Sequence, residues 1–200
     1  MLIINYALLI INYELIIMYI ARKLKKENIA EYLLYMWQVE DLIRAFNLNI
    51  DVINERIIAS YPASEVDRKS MYDWYESLIE MMRLENVQVD GHLQLNKNII
   101  LELDELHSSI LRSGKDAGYA AKFYHVLPFI SQLRQQQENT QISDVELCFN
   151  LQYGIMMLRM KKAEITPETL QAQTEISKFM VLLAKNYQLY KSGDLDLEED

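Results

Sequence analysis

Glycine and proline are scarce, five and three in 200 residues. A sandwich or barrel needs a turn signal roughly every ten residues, so this shortage excludes a strand-rich fold. Cysteine is scarcer still. Cys148 stands alone, which rules out an internal disulfide framework and a Cys-rich metal site, and fits a reducing cytoplasm. There are three histidines, His92, His107 and His125. A two-metal carboxylate site in a helical bundle needs Glu-x-x-His on each of two helices. Only His107 has an acid three residues before it, Asp104; position 89 is valine and position 122 is lysine. No metal ligand set and no cofactor is therefore expected. The phosphate-cradling glycine loops and the G-x-S-x-G elbow are also missing. No catalytic residue is assigned, and the chain reads as a non-enzyme.

Positive charge is in short supply too. Twenty Lys and Arg face 29 Asp and Glu, a net charge of −9. Such a chain has no long-range attraction for nucleic acid. The one dense basic cluster is Arg22, Lys23, Lys25 and Lys26, and Glu27 and Glu31 sit close enough to pair with it as a solvated helix start.

Long apolar runs are confined to the N-terminus. Leu2–Leu8 and Leu9–Leu15 are near-identical heptads built from Leu, Ile, Asn and Tyr. All four residues have codons made only of A and T, as a repeat in AT-rich upstream DNA would supply. Residues 1–17 then form a non-native extension, and the protein proper begins at Met18. The rival reading is a membrane anchor over residues 1–21, with the basic cluster on the cytoplasmic side. Asn5, Asn12 and Glu14 weigh against it, because they are costly in mid-bilayer. A cleavable signal peptide lacks both its leading positive charge and its small-residue cleavage site.

The remaining chain has helical periodicity throughout. One helix is expected over Met18–Phe46, with Ile29, Tyr32, Leu33, Met36, Val39 and Ile43 on its buried face. A second covers Ile50–Ser60 and stops ahead of Pro62. Ser64 caps a third, which carries Met71, Trp74, Tyr75, Leu78, Met81 and Met82. Asp90-Gly91 is a turn. A fourth helix runs over about Leu95–Leu111 with Ile99, Leu103, Leu106 and Ile110 inward. A fifth runs over Asp116–Gln136 and should kink near Pro128, by His125-Val126. Ser143 and Glu146 form a capping box for the sixth, which ends near Lys162. Thr166-Pro167-Glu168 starts the last, which buries Ile176, Phe179, Met180, Leu183 and Tyr187. Residues 193–200 form an acidic tail expected to be disordered. The fold class is all-α: a single-domain, bundle-like array of six or seven helices over 18–192.

The stretch from Glu31 through Tyr35-Met36-Trp37-Gln38-Val39-Glu40-Asp41 to Arg44 resembles the opening of a bacterial family of helical proteins, domain of unknown function 4924. Glu146-Leu147-Cys148-Phe149-Asn150, Tyr153-Gly154 and the Glu164-Ile165-Thr166 helix start resemble it as well. The resemblance covers Met18 to about Leu197, and the family's usual start falls at the equivalent of Met18. It implies a helical fold and carries over no active residue.

Two groups of residues remain as candidates. Glu40 lies within the apolar face of the first helix, about 40° from its centre. A carboxylate so placed needs a partner, and Arg44, one turn on, can supply it. Either Trp37, Glu40 and Arg44 line a pocket for a small polar ligand, or Glu40 and Arg44 are a structural pair that sets helix packing. The sixth helix is apolar on two sides. One side carries Leu147, Cys148, Leu151, Ile155 and Leu158; the other carries Phe149, Tyr153, Met156 and Met160. A helix with two apolar sides must be buried on both, either centrally in its own bundle or against a partner. Phe149, Tyr153, Met156 and Met160 are therefore the candidate interface, with a second copy or another protein as partner. The expected role is a non-catalytic assembly or regulatory module. A ligand sensor or enzyme at Trp37, Glu40 and Arg44 is the alternative, and a membrane-tethered domain the third.

Overall fold

The computed structural model describes residues 17–60, 62–136 and 141–197. All its regular structure is helical, and no strand occurs among the described residues. Among the described residues there are eight helices, one more than the upper expectation: α1 (Ile17–Glu27), α2 (Ile29–Ala45), α3 (Ile50–Ile53), α4 (Glu65–Leu84), α5 (Gln94–Ser113), α6 (Ala117–Gln135), α7 (Asp144–Met160) and α8 (Pro167–Ser192). The heptad pair, and with it both readings of residues 1–17 apart from Ile17, lies outside the described residues. None of the described helices is long and apolar enough to cross a membrane.

The extra helix comes from a break at Asn28. Its Oδ1 accepts from the backbone N–H groups of Ala30 (3.1 Å) and Glu31 (3.3 Å), and its Nδ2 donates to Glu31 Oε1 at 2.9 Å. Asn28 therefore starts a new helix instead of continuing the first. The second expected helix is also not uniform. After α3, capped by Asn49, the backbone widens into a π-helical turn over Asn54–Ile58.

At Pro128 the expected kink is replaced by an unbroken α6. Pro128 lies on an exposed face together with Tyr124, whose carbonyl it deprives of a partner. Water can take over that bond, so the helix continues. Three starts follow the sequence closely. Ser64 accepts from Asp67 N, Ser143 from Glu146 N, and Thr166 from Thr169 N ahead of Pro167.

The chain divides into two compact units. The first takes in α1 up to Lys26 and Tyr35–Asn96; the second takes in Glu27–Leu34 and everything from Lys97. In the first, α4 packs against α3 and the π turn. Its buried side chains include Met36, Ile43, Ile53, Met71, Tyr75, Leu78 and Met82. In the second, α6, α7 and α8 pack against one another. Leu103, Leu106, Phe123, Phe149, Ile155, Ile176, Phe179 and Leu183 are buried there. The tail is described as far as Leu197, with Asp196 3.0 Å from Lys115. Residues 198–200 lie outside the described residues.

Candidate functional site

The candidate site in the first unit grows from one face of α2. Trp37, Glu40 and Arg44 are spaced three and four residues apart, so they project to the same side of the helix. All three reach the segment that joins α4 to α5. Glu40 is 1% exposed. Its Oε1 accepts from the backbone N–H of Leu93 (2.9 Å) and from Asn96 Nδ2 (2.7 Å). Its Oε2 lies 2.6 Å from Nδ1 of His92. A carboxylate only accepts, which places the hydrogen on His92 Nδ1. Trp37 stacks on the His92 ring, with centroids 4.1 Å apart and planes 12° from parallel.

Arg44 does not serve Glu40. Its guanidinium pairs with Asp41 Oδ1 at 2.8 Å and donates to the carbonyls of Val87 (3.1 Å) and Gly91. Gly91 has φ +78°, a left-handed conformation that disfavours a side chain, and this turns its carbonyl toward Arg44. The local i, i+4 pair of the sequence reading is thus replaced by two long-range attachments. The reason is supply: the turn after α4 offers N–H donors to the acid and carbonyl acceptors to the base. Together they fasten both ends of the segment Val87–Leu93 to α2.

Chemically the arrangement is an anchor. Both Glu40 oxygens are occupied, so the carboxylate is not available as a proton acceptor for an outside molecule. His92, with its side chain 29% exposed, is where the cluster reaches solvent. Two buried polar atoms remain without a hydrogen-bond partner, Asn96 Oδ1 and Arg44 Nε. His92 and Asn96 were not singled out from sequence. The available signal was their position just after Asp90-Gly91, where a helix start needs acceptors for its N–H groups.

The candidate interface residues on α7 separate along the helix. Phe149 is buried in the chain's own core, so it cannot meet a partner. Tyr153 and Met156 are half-buried. Met160, at 63%, is exposed together with Leu158.

The family described as domain of unknown function (DUF4924) matches residues 18–194. The chain belongs to that family. No curated protein and no solved structure matches it.

The second unit of this DUF4924 chain holds a buried polar cluster that the sequence reading passed over. His107 is 7% exposed. Its Nδ1 is 2.8 Å from the Tyr119 hydroxyl, and its ring meets Phe123 and Phe179 edge-on. Burial holds the His107 pKa below its ordinary value, and burial likewise raises that of Tyr119. Cys148 is buried as expected. Burial raises its thiol pKa strongly, which makes it a poor nucleophile. Asp104 is half-buried at the start of α7, bonded to Ser143 and to the Val145 N–H. Burial first, then Glu146 and Asp144, push its pKa up to about 6, against the lowering effect of those two bonds. Among the described residues no three His, Cys, Asp or Glu side chains come together as a metal site.

Proposed function

We propose that this DUF4924 protein is a non-catalytic, cytoplasmic interaction module that assembles through the outer side of α7, in the simplest case with a second copy of itself. The observation that carries this reading is the apolar stripe of α7. It continues past the chain's own core through half-buried Tyr153 and Met156 to Met160, which is 63% exposed. Covering such a stripe gains ~25 cal/mol per Å² of apolar surface before the costs of association. The test is light scattering across a concentration series. A dimer is expected that Met160→Asp converts to monomer without loss of helicity. A native chain that stays monomeric at high concentration refutes the self-association form.

The alternative is a small polar ligand held near Trp37, Glu40 and Arg44. It is supported by the two buried unpaired atoms, Asn96 Oδ1 and Arg44 Nε, which a donor and an acceptor from outside would satisfy. Mass spectrometry of the native protein should then show a co-purifying small molecule that Glu40→Gln loses. If Glu40→Gln changes only the melting temperature, the cluster is structural.

A further inference from the structure

The acidic tail has a definite course over the second unit. Helix α8 ends in a two-bond cap: Gly193, with φ +79°, donates to Tyr190 O, and Asp194 N donates to Leu189 O. This closes the helix and turns the chain back. From there exposure alternates. Asp194 and Asp196 are exposed, while Leu195 and Leu197 are half-buried. That period of two belongs to an extended segment laying one face on a surface. Asp196 pairs with Lys115 at 3.0 Å. Leu197 lines a groove between α5 and α8 together with Glu102, Glu105, Leu106, Ser109, Tyr190 and Lys191. The groove is not filled: a volume of about 280 Å³ remains beside Leu197.

We propose that this groove is a docking site for an extended protein segment in which acidic residues alternate with leucines, and that the chain's own residues 194–197 hold the place in cis. The recognition chemistry is on the surface already. Lys115 takes the acid, and Leu106 with the Tyr190 ring takes the following leucine. Lys191 pairs with Glu102 at 2.8 Å, and Glu102 in turn accepts from the Tyr187 hydroxyl at 2.7 Å. The tail leaves its charged groups in solvent. The Asp196 side chain is 75% exposed, and an exposed ion pair contributes little. Its leucines are half-buried and leave space unfilled. A partner segment with the same alternation and a better-filling apolar side chain displaces it.

The experiment uses the full-length chain. Leu197→Asp should shift the backbone amide resonances of Ser109 and Lys115 while the circular dichroism spectrum stays native; Leu197→Ser serves if the charge disturbs the fold. A peptide of the sequence 194–200, titrated to a few mM (roughly the effective concentration of a short tether), should return those resonances toward their native positions. The native chain should bind the same peptide at least about tenfold more weakly, because its own tail competes. Adding Lys115→Glu to the Leu197 variant should abolish the recovery. Unchanged Ser109 and Lys115 resonances in the Leu197 variant would show that the tail does not sit there. Equal binding to both chains, or binding to neither, would overturn the proposal as well.

Discussion

Replacing Asp104 with asparagine should stabilise the protein at neutral pH and leave it unchanged in acid. The carboxyl has a pKa of 3.8 when solvated and about 6 in the folded chain. The difference, 6 − 3.8, corresponds to ~3 kcal/mol at 1.36 kcal/mol per pH unit, as the cost of keeping the group ionised in the fold. Half-exposure and screening reduce that, so a gain of ~1–2 kcal/mol is expected above about pH 7. The sign follows from proton uptake. Between about pH 4 and 6 the folded state binds a proton that the unfolded state has released, so this group favours folding in acid and penalises it as pH rises through 6. Asparagine keeps the local bonds: its carbonyl can accept from Val145 N–H, and its amide can donate to the Ser143 hydroxyl. Asp144 beside it is already paired with Arg134 at 2.5 Å and does not need Asp104. The assay is urea unfolding of both chains by circular dichroism over a pH series. Comparing the two chains removes the opposite contribution of His107, whose depressed pKa weakens the fold as pH falls below its ordinary range. A difference that does not vary with pH, or an asparagine variant less stable than the native chain at neutral pH, would refute the reasoning.

Three further outcomes follow from particular residues. Glu40→Ala strands the Leu93 N–H, Asn96 Nδ2 and His92 Nδ1 in the interior. It should cost ~3–5 kcal/mol and lower the melting temperature by roughly 10 °C or more; a shift of a degree or two would mean that water replaces the carboxylate. Lys162 sits just past α7 at φ +54°, where its N–H bonds Arg159 O and the next N–H bonds Leu158 O. Lys162→Gly relieves a left-handed side chain in an exposed cap and should raise stability by ~0.5–1 kcal/mol, read by thermal melting. Glu175 is bonded to Lys178 at 2.5 Å and Lys122 at 2.9 Å, and these bonds lower its carboxyl to about 2. NMR titration should find that carboxyl still ionised near pH 3, and Lys122→Met should raise its pKa.

The helices were legible wherever their information is local. Ser64, Ser143 and Thr166-Pro167 cap what they were expected to cap, and every residue of the expected inner face of α2 is buried. Asn28 could have been read the same way. Asn28-x-x-Glu31 is a capping pattern, but continuous apolar periodicity on both sides concealed it. The π turn at Asn54–Ile58 and the unbroken course through Pro128 depend on which side of the helix meets solvent, and a single segment does not reveal that. At the candidate site, Trp37, Glu40 and Arg44 do belong together. The partner of Glu40 was misjudged because i, i+4 proximity is visible in a sequence, whereas His92 and Asn96 lie more than 50 residues along the chain. His107 and Asp104 were missed for the same reason: their environment is built by α6, α7 and α8.

The cap on α5 carries a consequence for how the chain reaches its native state. The first amides of that helix are satisfied by Glu40, borrowed from α2, and by Glu85, which accepts from Gln94 N at 2.5 Å. On its own α5 would begin with frayed amides. Its opening turn therefore leans on one acid 53 residues away and one nine residues away, so the stability of a helix that otherwise reads as purely local depends on closing a long loop.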